Sequence, residues 1–372
     1  MLKTLTVFGT RPEAIKMAPL VKKLAADPAV NNIVCVTAQH REMLDMVLNV
    51  FSIMPDYDLD LMSHGQTITD ITLRVIKGME DILTKEKPDI VLVHGDTTTT
   101  FAASLAAFYQ KIPVGHVEAG LRSGNIYSPY PEEMNRRLAG TIATLHFAPT
   151  NGNKQNLLQC GVDEKKIYVT GNTVIDALQL VVKENYNFAE AILNNLDYQR
   201  KKVILLTAHR RENWGEPMRN IFTAIRDIVT QLPDTEMVFP VHPNPIVRDL
   251  AMELLGETKG IHLISPLDYE PFVNLMARCY LVLTDSGGIQ EEAPSLGKPV
   301  IVLRQETERP EAVEAGTVKI AGIGYDRIFA LTETILTDKN EYKRMSQAVN
   351  PYGDGKAAAK ITNILKRFSS IL

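Results

Sequence analysis

DIVLVHGDTTTTFAASLAAFYQ, residues 89–110, carries the pattern that decides the fold. Asp89–Val93 is apolar at every position after the first, with no apolar/polar alternation. Such a run predicts a strand buried on both faces, as in a parallel sheet. A polar turn, His94-Gly95-Asp96, follows, and then TFAASLAAFYQ, with apolar and small residues at helical spacing. The same strand–turn–helix unit recurs along the chain. In the first half the strands read Leu5–Phe8, Ile33–Thr37, Pro113–Val117, Leu145–Phe147 and Ile167–Thr170. In the second half they read Val203–Thr207, Met237–Val241, His262–Ile264, Leu281–Thr284 and Val300–Leu303. Strands alternating with helices predict α/β architecture with right-handed crossovers. The pattern restarts near Lys201, after the polar stretch NYNFAEAILNNLDYQRKK, so two doubly wound domains are expected. The closing segment NPYGDGKAAAKITNILKRF is a turn followed by an amphipathic helix that can complete either domain.

Composition narrows the function. The 372 residues are 45% hydrophobic and 23% charged, close to globular averages. Forty Lys+Arg against forty-four Asp+Glu leave a formal charge of -4, which argues against wrapping nucleic acid. An anionic ligand must therefore be held by a local cluster of donors. Cys35, Cys160 and Cys279 lie far apart, which excludes a disulfide scaffold and a cysteine-based zinc site and suits a reducing compartment. The start, MLKTLTVFGTRPEA, is too short in apolar length for a signal peptide, and no run approaches membrane-spanning length. A cytoplasmic, soluble protein is expected.

Reactive residue types collect at predicted strand ends, where ligands sit in open α/β sheets. TDSGGIQEEA (284–293) is the sharpest of these elements. Strand, Ser286-Gly287-Gly288 and then helix would put free backbone N–H groups before an anion, with Glu292 placed for a ribose hydroxyl. It is neither a Walker motif nor the dinucleotide GxGxxG. GTRPEAIKMAPL (9–20) repeats the geometry with Arg11 and Lys16, or is simply a capped helix. Asp96 precedes a helix and reads as an N-cap or as a reactive carboxylate. Glu118 ends an apolar strand, where a carboxylate needs a partner or a raised pKa. Glu132 and Glu133 open a helix, and Arg136 follows Glu132 at i,i+4. His209 is a candidate acid/base or phosphate donor. DYDLD (56–60) contains a metal-capable Asp-x-Asp but reads better as a short exposed strand. No metal site and no cofactor is expected.

GTRPEAIKMAPL, TAQHREMLD, VHGDTTTT, HVEAGLRSG, YPEEMNRRLAG, TAHRREN, TDSGGIQEEAPSLGKPVIVLR and TERPEAVEAGT together resemble the non-hydrolysing UDP-N-acetylglucosamine 2-epimerases, over essentially the whole chain. The resemblance implies two Rossmann-like domains facing a deep cleft, similar to B-type glycosyltransferases. It places residues 1–170 and 355–372 in the first and 171–354 in the second. It implies reversible interconversion of UDP-GlcNAc and UDP-ManNAc, a homodimer, and a role in cell-surface polysaccharide biosynthesis.

Position by position, it implies that Asp96, Glu118, Glu132 and His209 are catalytic. It assigns Arg11, Lys16 and Arg136 to the substrate, Leu267–Phe272 to the uracil, and Ser286, Gly287 and Gly288 to the phosphates. Glu292 would take the ribose and Arg309 the nucleotide. Gln39, Arg210 and His242 match a second, activating UDP-GlcNAc site of some bacterial members, although Glu42 and Gly65 stand where regulated members carry Gln and Arg. The implied chemistry is loss of UDP from C1 as a base takes the C2 proton, followed by re-addition to the 2-acetamidoglucal. Asp96 is the expected base, and Glu118 or Glu132 the opposing acid. Two alternatives remain: a hydrolysing epimerase releasing ManNAc and UDP, and a glycosyltransferase of the same fold.

Overall fold

The apolar runs become strands because each is covered on both sides by helices. In the computed structural model, which describes residues 1–38, 41–63 and 65–370, the chain forms two units. One comprises Met1–Leu180 with Tyr352–Leu372, and the other Val181–Pro351.

The first unit holds seven strands: β1 (Leu2–Phe8), β2 (Val30–Val36), β3 (Tyr57–Asp58), β4 (Ile90–His94), β5 (Val114–Val117), β6 (Leu145–Ala148) and β7 (Ile167–Val169). They pair in parallel in the order β3-β2-β1-β4-β5-β6-β7. Every residue of β4 is buried, which is why its sequence lacks alternation. Ala102, Ala103, Ala106 and Ala107 of the helix Thr98–Tyr109 lie in one core with Leu5, Val7, Val91 and Val93. Small side chains there let the helix lie close to the sheet. DYDLD supplies β3, the expected short strand, at the sheet edge. The helix Ala357–Ser369 belongs to this unit: the Ala357 and Ala358 amides donate to Asp176, and Lys366 pairs with Asp27.

The second unit holds β8 (Lys202–Thr207), β9 (Thr235–Pro240), β10 (Ile261–Ile264), β11 (Leu281–Thr284), β12 (Val300–Val302) and β13 (Val318–Ile320). The order is β10-β9-β8-β11-β12-β13, again parallel throughout. Its core joins Ile204, Leu206, Leu281 and Leu283 to Phe222, Phe239 and Ile225. Each fully buried side chain of this kind contributes roughly 1.5–3 kcal/mol. Strand β13 escaped the sequence reading: three residues with a lysine at the centre, between Gly316 and Gly322, are too short to register as a run.

The α/β class read from the sequence holds. In each sheet the strand order reverses once, between β1 and β4 and between β8 and β11. Loops leaving these strands are splayed to opposite faces, which is where such sheets bind ligands. Gly9–Arg11 and Asp96 leave β1 and β4; His209 and Asp285–Gly288 leave β8 and β11.

Candidate active site

At the end of β1, Thr10 caps the helix Arg11–Ala25 in a full capping box with Glu13, and Pro12 lies in its first turn. Glu13 does more than cap. One of its oxygens accepts from the Gly9 and Thr10 amides (3.0 and 2.8 Å), and the other from the Thr97 and Thr100 hydroxyls (2.7 and 3.2 Å). This buried carboxylate ties the loop after β1 to the loop after β4. Gly9 is required by packing, because a Cβ there would run into the hydroxyls of Thr37 and Thr99. Arg11 is half-buried and has no carboxylate partner among the described residues. Lys16, one turn further along, pairs with Glu118.

Asp96 is not an N-cap. Thr97 caps the helix Thr98–Tyr109, accepting from the Thr100 amide at 3.1 Å. The Asp96 carboxylate is instead bonded by Arg136, while its carbonyl accepts from Asn135 at 3.0 Å. The expected Glu132–Arg136 pair does not form. Arg136 turns to the fully buried Glu133 (3.2 Å), which also takes Arg137 and the Ser123 amide (2.8 and 2.9 Å). Glu133 is therefore the structural carboxylate of the helix Glu132–Ile142. Glu132 stays half-buried, without an ion pair among the described residues.

Glu118 follows β5 with φ +59°, a left-handed backbone that non-glycine residues rarely adopt. Its carboxylate is almost wholly buried, against Lys16, the Asn172 amide (2.9 Å) and His94 Nε2 (3.6 Å). Its other oxygen lies 3.9 Å from where a Gly95 Cβ would stand, next to Asp96. Burial alone would raise its pKa, but Lys16 and His94 outweigh burial and hold the carboxyl well below its ordinary 4.5. Of the two outcomes expected for this position, the partner is found and the raised pKa is not. Burial pushes the neighbouring His116 down to about 3 and His146 to about 4, so both are neutral at pH 7. Sequence reasoning gave no role to His94 or Asn172, since neither lies in a spacing that marks a ligand.

In the second unit His209 leaves β8 with its Nδ1 3.4 Å from Oδ1 of the buried Asp285. Its ring stacks on His242, centroids 5.5 Å apart and planes 12° apart. Burial, His242 and Arg210 lower the pKa of His209, and Asp285 pulls against them. The Arg210 amide donates to Asp285 at 2.8 Å. Residues that the resemblance divided between catalysis and activation are thus neighbours here. Gln39, the third activator residue, lies outside the described residues.

The motif after β11 has the expected form. Ser286 turns back to Thr284 (2.9 Å), and the short helix Ile289–Ser295 follows. Neither Gly287 nor Gly288 has a positive φ. A Cβ on Gly287 would meet nothing within 4 Å, and one on Gly288 only Glu292 Oε1 at 3.5 Å. Chain packing does not demand these glycines, and what they leave open is room for an approaching group. Glu292 lies in the first turn of the helix. Arg309 is docked on Glu291, a buried partner absent from the sequence reading. Leu267 and Phe272 are half-buried, flanking the start of the helix Tyr269–Arg278.

Among the described residues no group of three His, Cys, Asp or Glu side chains is placed to hold a metal, and no helix is long and apolar enough to cross a membrane. Comparison with known proteins adds a family. A family profile described as UDP-N-acetylglucosamine 2-epimerase matches residues 22–366. The UDP-N-acetylglucosamine 2-epimerase of Bacillus subtilis is 57% identical over 364 residues, 98% of this chain and 95% of that protein. The crystal structure of the Neisseria meningitidis UDP-GlcNAc 2-epimerase bound to UDP-GlcNAc is similar at a TM-score of 0.85 and 50% identity, covering 98% of this chain and 100% of that one. The Methanocaldococcus jannaschii enzyme in complex with UDP-GlcNAc and UDP is similar at a TM-score of 0.77 and 36% identity, covering 98% of this chain and 100% of that one.

Proposed function

The chain belongs to the UDP-N-acetylglucosamine 2-epimerase family, and from this premise we propose that it interconverts UDP-GlcNAc and UDP-ManNAc reversibly, without releasing the free sugar. The observation that carries the reading is the buried, ionised Glu118 with Lys16 and His94, next to an Asp96 that Arg136 holds. A relative of 50% identity binds UDP-GlcNAc, which supports the substrate class.

The proposed course is elimination and re-addition. A base removes the C2 proton as the C1–O bond to UDP breaks, giving 2-acetamidoglucal and UDP. A proton then returns to C2 from the other face, and UDP re-adds at C1. Asp96, whose carboxylate is oriented by Arg136, suits the base. Glu118 is held ionised too strongly to be a good proton donor, so Glu132, which has no ion pair among the described residues, is the better acid of the two. Positioned acid/base groups give about 10²–10⁴-fold. Ser286, Gly287 and Gly288 are proposed to hold the diphosphate, with Glu292 on the ribose, Arg309 on the nucleotide and Leu267–Phe272 on the uracil. His209 and Arg11 are proposed to neutralise the departing phosphate, at about 10²–10³-fold per donor.

Incubation with UDP-GlcNAc in D₂O, followed by NMR, tests the course. Deuterium at C2 and the appearance of UDP-ManNAc are expected, and protium retained through epimerisation refutes it. Free ManNAc as the product would mean hydrolysis, and turnover only with an added acceptor would mean glycosyl transfer. A homodimer is proposed as well. Leu73, Phe108 and Tyr109 are exposed on two packed helices of the first unit, and light scattering checks it.

A further inference from the structure

The loop after β11 contains a carboxylate with no assigned work. We propose that Asp285 is a positioning residue that fixes the His209 imidazole as its Nδ1–H form and presents Nε2 to the departing phosphate. The role of Nε2 rests on the function proposed above; the placement of Nδ1 does not.

Asp285 is fully buried, and its backbone N–H donates a hydrogen bond to the Thr207 carbonyl at the end of β8 (3.1 Å). Oδ2 accepts from three donors: the His209 amide (2.8 Å), the Arg210 amide (2.8 Å) and Asn213 Nδ2 (3.2 Å). These fix the carboxylate plane. Oδ1 is out of contact with solvent and accepts no hydrogen bond among the described residues. The group facing it is His209 Nδ1, at 3.4 Å. A buried carboxylate oxygen without a donor is unfavourable, and a small ring rotation that brings an Nδ1–H onto Oδ1 removes the deficit. The Nε2–H form would instead set a lone pair against an anionic oxygen. Only the Nδ1–H form is compatible with Asp285.

The surroundings give that choice a consequence. Among the described residues, charged and titratable groups face the ring from three places: His242 from the end of β9, Arg210 from its own loop, and Asp285 from the end of β11. Two of the three oppose a protonated ring, as does burial. Asp285 is the one group that favours it, so a proton carried at Nε2 toward an oxyanion depends on Asp285. This is how a carboxylate orients and charges a histidine it does not replace.

Long-range ¹H–¹⁵N NMR of the His209 ring decides the first part on the wild-type protein. An Nδ1–H tautomer is expected, and an Nε2–H tautomer overturns the proposal. Asp285→Asn tests the second. The His209 titration midpoint should move to lower pH, kcat should fall about 10–100-fold with little change in KM, and the alkaline limb of the kcat–pH profile should move down with the midpoint. A purely structural role would lower the melting temperature and kcat without moving midpoint or limb, and that result refutes the proposal. Should Asp285→Asn fail to fold, the wild-type tautomer still decides. If the wild-type protein does not turn over UDP-GlcNAc, the function reading fails while the tautomer and midpoint remain decisive for Asp285.

Discussion

Replacing Lys16 with Met isolates the contact on which the first-unit site rests. Lys16 is the cation paired with Glu118, whose side chain is only 9% exposed. Removing one partner of a buried pair costs about 3–5 kcal/mol, because the remaining charge loses its counterion without regaining water. Asn172 still donates to Glu118 at 2.9 Å, which puts the expected loss at the low end, about 3 kcal/mol. For a unit of about 200 residues, roughly 2–4 °C per kcal/mol converts this to a melting shift of about 6–12 °C. Glu118→Gln should cost less, about 1–2 kcal/mol, since Lys16 can reach solvent. The double variant should cost clearly less than the sum of the two.

The single tryptophan, Trp214, lies in the second unit, so its fluorescence serves as the internal reference. Hydrogen exchange over residues 114–124 reads the first unit directly. The pH dependence is fixed by direction. Glu118 titrates below its ordinary 4.5 in the folded chain, so the pair's contribution is complete above about pH 4.5 and is lost as pH falls through the lower folded value. The Lys16→Met penalty should therefore shrink on acidification below pH 4.5. Single-variant costs that add within about 0.5 kcal/mol, or a penalty that does not change with pH, would refute a charge pair as the source.

Asp96→Asn should lower kcat about 10²–10⁴-fold while UDP binding, measured by calorimetry, is retained; an unchanged rate removes Asp96 from the reaction. His116 and His146, at about 3 and about 4, lie below the ordinary 6.5, so their contribution is full above pH 6.5 and declines as the unfolded chain protonates. Between pH 6.5 and 5.5 the first unit should lose about 1 kcal/mol for each of them, read from urea midpoints, and a flat profile contradicts their neutral burial. Gly9→Ala should destabilise by about 1–3 kcal/mol through its contact with Thr37 and Thr99, visible in thermal unfolding.

Much of the fold was legible because buried parallel strands write themselves as unbroken apolar runs. Ile90–Val93 needed no partner sequence to be recognised, and β13 failed only because three residues carry too little pattern. The site was legible to a different depth. Residue types at strand ends located Asp96, Glu118 and His209, since strand ends are set by chain order. Their partners were not legible. Lys16 and Glu118 are 102 residues apart, and Asn172 reaches Glu118 across 54. Helical spacing pointed Arg136 at Glu132, and the tertiary choice was Asp96 and Glu133, because Glu133 is the buried carboxylate and cannot go without donors. Local spacing names the possible neighbours on a helix; burial decides which of them is paired.

Glu118 shows why that ranking matters for function. A left-handed non-glycine backbone costs of order 1–3 kcal/mol, and burying a carboxylate costs more still unless it is paired. The chain accepts both at one residue and meets them with Lys16, His94 and Asn172, drawn from three separate elements. Leu at this strand end would keep the backbone cost but bury no charge. An arrangement that is less stable than its apolar substitute, yet satisfied on three sides, is one that holds a charge in a fixed place. If the place is what matters, Glu118→Asp, which keeps the charge but draws the carboxylate back by one methylene, should lose most of the activity of the proposed reaction while retaining the pH-dependent stability of the pair. If Glu118→Asp retains near-full turnover, the charge is wanted only for folding and Glu118 leaves the catalytic set.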